Sequence, residues 1–124
     1  MSKPKVLIID DEKLLVKSTI MALNCYEFEA RGALDGPEGI KKAEELQPDV
    51  ILLDIMMPVM DGWEVLKKLK ENEVTQNIPV IIYTAKEYSN GKALSESKGA
   101  AGFVAKPFEL DELIAVLKKY AIGE

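Results

Sequence analysis

Three runs of the chain, Val6–Ile9, Val50–Leu53 and Val80–Tyr83, are apolar at every position and only four residues long. A strand with one wet face alternates apolar and polar residues. A short strand that is apolar throughout is covered on both sides, which is how strands of a buried parallel sheet read. A weaker run, Ala101–Ala105, ends the series, and Glu27–Ala33 alternates as an edge strand does.

Helical patterns fill the gaps. Leu110, Leu113, Ile114, Leu117 and Ala121 recur at spacings of three and four, placing one apolar stripe on a C-terminal helix. Asp111 and Glu112 stand early in it and Lys118 and Lys119 late, in accord with the helix dipole. Gly36-Pro37 opens a helix running to Leu46 behind the capping residue Asp35. Further helices are expected over Lys13–Leu23 and, after Asp61-Gly62, over Trp63–Lys70. The stretch after Thr84 is a weaker helix, because Ser89, Asn90 and Gly91 fall in its interior and Gly alone costs about 1 kcal/mol relative to Ala. Strict alternation of strand and helix predicts an α/β fold: a doubly wound parallel sheet with helices on both faces. Ligands of such folds gather beyond the carboxyl ends of the strands.

Composition narrows the chemistry. With 124 residues and a 48% hydrophobic share the chain suits one compact domain, 1–124, with no effector domain expected. A net charge of -5 leaves no basic stripe for nucleic acid, so no direct nucleic-acid partner is expected. No run approaches the roughly 18 apolar residues of a membrane span, and the single cysteine, Cys25, fits a reducing compartment. A cytoplasmic protein with no membrane partner is the expectation. There is no histidine, which excludes Ser-His-Asp and Cys-His catalysis and histidine-ligated metal.

The residues that follow the apolar runs are Asp10, Asp11 and Glu12, then Asp54, then Thr84, then Lys106-Pro107. A parallel sheet brings them to one edge: three aspartates, a hydroxyl and an ammonium. Two carboxylates about 4 Å apart repel by roughly 4 kcal/mol at an effective dielectric near 20. Lys106 offsets one such charge, and a hard divalent cation such as Mg²⁺ offsets the surplus. A carboxylate so placed is also a nucleophile toward phosphorus, where positioning and charge neutralisation do most of the work. Plainer assignments stand beside these. Asp10 or Asp11 caps the first helix, Thr84 caps the helix after it, Lys106 is a solvated surface lysine, and Met56 and Met57 pack a loop. All of them holding at four strand ends together is the less economical account.

The segments "LIIDDE", "DVILLDIMMPVMDGWE", "IPVIIYTAK" and "FVAKPFELDEL", in that order, resemble the receiver domains of two-component response regulators over essentially the whole chain. The resemblance implies a five-stranded sheet of order 2-1-3-4-5, the flavodoxin-like arrangement. It implies that Asp54 accepts a phosphoryl group from a phosphohistidine on a sensor histidine kinase or a histidine phosphotransfer protein. Asp11 and Asp54 then hold Mg²⁺ with the backbone carbonyl of Met56, Asp10 acting mainly through water. Lys106 pairs with the carboxylate and then with a phosphoryl oxygen, across a Lys106-Pro107 bond expected to be cis. Thr84 turns its hydroxyl to the bound group, and Phe103 matches the switch aromatic that moves with it, where the plain alternative is a core residue. Output passes by contact to a downstream target protein. Met56 and Lys86 stand where the family tunes hydrolysis, and an apolar Met56 implies slow loss of phosphate.

Other readings stay open. A phosphorelay intermediate needs the same pocket. A phosphate-independent interaction module keeps the fold but often loses one of these residues. An aspartate-nucleophile phosphatase carries D-x-D after its first strand, where this chain has Asp10-Asp11-Glu12. A flavin protein needs a Ser/Thr/Gly-rich phosphate loop that is not in this sequence.

Overall fold

The computed structural model describes residues 3–85 and 97–122. Its strands are β1 (Lys5–Ile9), β2 (Glu29–Ala33), β3 (Val50–Leu53), β4 (Val80–Ala85) and β5 (Gly102–Lys106). They form one five-stranded sheet in the order β2-β1-β3-β4-β5, with every neighbouring pair parallel. The helices of the described residues are α1 (Lys13–Asn24), α2 (Gly36–Leu46), α3 (Gly62–Glu71) and α4 (Leu110–Ala121). The expected fold class and strand order are those observed. The weak helix expected around Ser89, Asn90 and Gly91 lies outside the described residues, as does Lys86.

Alternation along each strand sorts the side chains into two cores. Val6, Ile8, Leu52, Ile81 and Tyr83 point to α1 and α4, meeting Val16, Leu23, Leu113 and Leu117. Leu7, Ile9, Ile51, Leu53 and Ile82 point to α2 and α3, meeting Ala43, Val65, Leu66 and Leu69. Each such side chain contributes about 1.5–3 kcal/mol when fully buried, which is why β1 is apolar from Val6 to Ile9 and β3 from Val50 to Leu53. At those ends the rule stops. Ile9 stands level with Ala33 and Leu53, so the next residues, Asp10 and Asp54, come side by side.

Local chemistry sets the helix starts. Asp35 Oδ1 accepts from the Glu38 backbone N–H at 2.8 Å, while Glu38 Oε1 accepts from the Leu34 N–H at 2.7 Å. Asp61 caps α3 in the same way through the Glu64 N–H, at 3.0 Å. For α1 the capping position is Glu12, with no side-chain cap bond, so neither Asp10 nor Asp11 caps it. Several strand limits shift from expectation: β1 starts one residue earlier, at Lys5, and β4 runs on past Tyr83 to Ala85, taking in Thr84. β2 begins at Glu29, because Glu27 takes a left-handed turn conformation with φ 68°. β5 runs over Gly102–Lys106, since Ala101 is exposed and the ladder opens at Gly102 opposite Ile81.

α3 begins at Gly62, one residue before the expected Trp63, and the glycine is required there. A Cβ at Gly62 falls 2.5 Å from Ile55 Cα and against the carbonyl oxygen of Asp54, both of them backbone that cannot swing aside. The Gly62 N–H also donates to the Ile55 carbonyl at 3.0 Å. The start of α3 is therefore seated directly on the loop that carries Asp54. No helix of the described residues is long and apolar enough to cross a membrane.

Candidate functional site

Asp10 is fully buried and Asp54 is only 2% exposed, at the carboxyl ends of β1 and β3. Lys106 reaches them from the end of β5, its side chain 14% exposed, so it is not a solvated surface lysine. Its Nζ lies 2.9 Å from Asp10 Oδ2, 3.2 Å from Glu12 Oε1 and 3.4 Å from Asp54 Oδ2. The Lys106-Pro107 bond is cis, as expected. Backbone amides hold the other carboxylate oxygens: the Glu12 N–H donates to Asp10 Oδ1 at 3.0 Å and the Met56 N–H to Asp54 Oδ1 at 3.2 Å.

Burial raises the Asp54 pKa to about 6, with Asp10 adding repulsion; Lys106, the Met56 N–H and Thr84 pull the other way and lose. Lys106 is drawn down by burial, but its bond to Asp10 and the charges of Asp10 and Asp54 outweigh this and raise its pKa. One ammonium does not neutralise the group.

Thr84 lies inside β4 and is fully buried. Its Oγ1 has no hydrogen-bond partner of acceptable geometry, although it stands near enough to Asp54 to lower that carboxyl's pKa. Phe103, on β5, is half-buried and packs against the α2/α3 core. Met57 is buried, whereas Met56 is 60% exposed at the mouth of the site, so the two methionines do not share one packing role.

The carboxylate oxygens of Asp10, Glu12 and Asp54 lie within 4.8 Å of one another. Opposite ligands of an octahedral Mg²⁺ are separated by about 4.2 Å, close to this spread, so the three carboxylates would converge on one hard cation after a small shift in which Lys106 gives up contacts with them. An all-oxygen donor set with surplus negative charge is the chemistry such an ion prefers. Asp11 is exposed and is not in this group among the described residues; Glu12 takes the third place.

Two participants take no role from sequence alone. Glu12 stands with Asp10 and Asp11 after the first apolar run, and only its contact with Lys106 brings it into the site. Tyr83 reads as one more strand residue, yet its hydroxyl donates to Asp10 Oδ2 at 2.6 Å and its ring lies 4.5 Å under Lys106 Nζ. A signal for Tyr83 exists in retrospect: it is the one hydroxyl in the run Val80–Tyr83.

Comparison with known proteins gives the family. A family model described as response regulator receiver domain matches residues 6–118. The chain is 36% identical over 112 residues to the DNA-binding dual master transcriptional regulator RpaA of Synechocystis, covering 90% of this chain and 46% of that one. It is likewise 36% identical over 105 residues to the response regulator PleD of Caulobacter vibrioides, covering 85% of this chain and 23% of that protein. The chain thus spans about half, or less, of the length of these curated relatives. Among solved structures, the chemotaxis protein CheY4 of Vibrio cholerae superposes with a TM-score of 0.88 at 29% identity, covering 96% of this chain and 99% of that one. The receiver domain of the Francisella response regulator 1452 gives 0.87 at 32% identity, covering 96% and 97%. Such domains are phosphoacceptor switches of two-component signalling that bind Mg²⁺ at an acidic pocket. With a five-stranded sheet of order 2-1-3-4-5, solved receiver structures superposing on it, and a family match over residues 6–118, this chain belongs to the response regulator receiver domain family.

Proposed function

We propose that Asp54 is the phosphoacceptor of this receiver and that its donor is a phosphohistidine on a sensor histidine kinase or a histidine phosphotransfer protein. The observation that carries the proposal is the placement of Asp54: a buried carboxylate with Lys106 Nζ at 3.4 Å, one oxygen held by a backbone N–H, and an unpaired hydroxyl beside it. An Asp54 oxygen attacks phosphorus, the P–N bond breaks, and the donor imidazole leaves and takes a proton. Mg²⁺, when bound, offsets the charge of the carboxylates and of the incoming phosphoryl oxygens. Asp10, Asp54 and Glu12 would supply side-chain oxygens for it together with the Met56 carbonyl, and Asp11, exposed two residues beyond β1, would have to turn inward to join them. Lys106 shifts from the carboxylates to a phosphoryl oxygen, and the Thr84 hydroxyl donates to another. Phe103, packed on the same face, follows Thr84 and passes the change to a downstream target protein.

The complete set of acid, hydroxyl and ammonium favours this reading over a phosphate-independent module. The exposed Met56 side chain carries no group that orients water, which supports slow loss of phosphate, over minutes rather than seconds. The test is intact mass after incubation with Mg²⁺ and acetyl phosphate. A gain of one phosphoryl group in the parent and none in Asp54→Asn is the expected result. No gain in the folded parent, with the same donor loading another receiver in parallel, counts against Asp54 as an acceptor.

A further inference from the structure

We propose that Tyr83 is a positioning residue for the phosphoryl-transfer site, holding Asp10 with its hydroxyl and Lys106 with its ring so that the ammonium is kept at Asp54. The inference rests on Asp54 being the acceptor and extends it to a residue with no contact to the transferred group.

The geometry is specific to an aromatic hydroxyl at this position. Tyr83 pairs with Val104 in the β4–β5 ladder, and Lys106, two residues further along, projects to the same face. That register lays the lysine over the ring, with Nζ 4.5 Å from its centroid. The phenol then reaches across the sheet to Asp10 Oδ2 at 2.6 Å, the short separation of a hydrogen bond to a charged acceptor. Asp10 Oδ2 also accepts from Lys106 Nζ at 2.9 Å. One side chain therefore touches both members of the ion pair: its edge fixes the anion and its face attracts the cation.

Without the phenol, Asp10 Oδ2 keeps only the lysine, and the carboxylate is held on its other side by the Glu12 N–H alone, so the Oδ2 position is less closely fixed. Lys106 is a long, flexible side chain with several rotamers of similar energy, and its Asp54 contact, at 3.4 Å, is the longest of its three carboxylate contacts. That contact is the first to be lost when the anchor goes. An aliphatic residue in place of Tyr83 fills the core as well but supplies neither the donor nor the π face. The tyrosine ring is itself steadied by Phe108, tilted at 53° with centroids 6.2 Å apart.

The test separates positioning from stability. In Tyr83→Phe the ring remains and only the hydroxyl is lost. Amine acylation at fixed pH, read lysine by lysine by peptide mass, reports how firmly each ammonium is held. Lys70, whose Nζ is held by the Gln76 and Ile78 carbonyls, is the internal control for general loosening. Lys106 acylation is expected to rise about tenfold in Tyr83→Phe, the scale of losing one hydrogen bond to a charged group, with Lys70 unchanged. Tyr83→Leu, which also removes the ring, is expected to raise it further. The rate of phosphorylation by acetyl phosphate falls in the same order. Unchanged Lys106 reactivity in Tyr83→Phe overturns the proposal, and so does a parallel rise at Lys106 and Lys70, which marks a loosened fold. If the parent takes no phosphate at Asp54, the proposed function fails while the acylation result still decides whether Tyr83 holds the lysine.

Discussion

The two faces of the sheet end differently at the carboxyl edge. On the α1/α4 face the polar atoms are paired: Asp10 accepts from Tyr83, Lys106 and the Glu12 amide. On the α2/α3 face Thr84 Oγ1 is buried without a hydrogen-bond partner, next to a half-buried Phe103. A buried hydroxyl left wholly unpaired costs about 1–3 kcal/mol, so one face is paired as it stands while the other holds a hydroxyl with donor capacity to spare. Asp54 sits between them, tied to Lys106 on one side and bordered by Thr84 on the other. Under the proposed function the difference separates two jobs, holding the charges in register before reaction and responding to the group after it arrives.

Asp54→Asn breaks the centre of the comparison and has the largest expected effect, complete loss of phosphoryl gain by intact mass. It also carries a signed consequence for stability. The Asp54 pKa is about 6 in the fold against an ordinary 3.8, so the folded state binds the proton more tightly than the unfolded chain. In metal-free buffer the parent is most stable below about pH 4 from this group and loses up to roughly 3 kcal/mol as pH rises through 6. Asparagine removes that loss. Urea melts at pH 7.5 and pH 4 are expected to show Asp54→Asn more stable than the parent at the higher pH only, and millimolar Mg²⁺ to narrow the gap.

Gly62→Ala tests the seat of the acceptor loop. The new methyl overlaps Ile55 and Asp54 backbone, so a destabilisation of about 2–4 kcal/mol is expected, together with slower phosphorylation from a displaced Asp54. A variant as stable and as reactive as the parent contradicts the backbone contact described.

Thr84→Val sharpens the contrast between the faces. It preserves shape and removes the unpaired hydroxyl, so the unphosphorylated protein is expected to gain about 1 kcal/mol in denaturant melts. Phosphorylation is expected to proceed, with the accompanying change in Phe103 side-chain signals reduced. A loss of stability instead means that the hydroxyl is well paired in solution.

The smallest effect is expected at Val59, fully exposed at the tip of the β3–α3 loop with φ 68°. A β-branched residue is strained in that region, so Val59→Gly is expected to raise stability by about 1 kcal/mol or somewhat less, offset in part by the freedom of glycine when unfolded. Denaturation midpoints of the two proteins compare directly, and no gain means the loop relaxes in solution.

Much of this architecture can be read along the chain. Val6–Ile9, Val50–Leu53 and Val80–Tyr83 are apolar without interruption because each strand is covered on both faces, and a charge at the end of such a run has nowhere to be except the edge. Asp35 and Asp61 declare themselves as caps for a local reason, since a cap bonds a backbone amide three residues away. The positions of Asp10, Asp54, Thr84 and Lys106 at a common edge follow from the same local logic and from the alternation that makes the sheet parallel.

Which of the edge residues touch was decided only by the tertiary structure. Asp10 and Asp11 are adjacent carboxylates with equal claims in sequence, yet one is fully buried against Tyr83 and Lys106 and the other is exposed. Glu12 and Tyr83 enter the site through partners 94 and 73 residues distant in the chain, respectively. The physical reason is the range of the forces involved. Strand burial and helix capping are settled among near neighbours and leave a mark in the local pattern. Ion pairs and hydrogen bonds at the edge depend on the register between strands and on the path of each loop, which exist only once the sheet has formed.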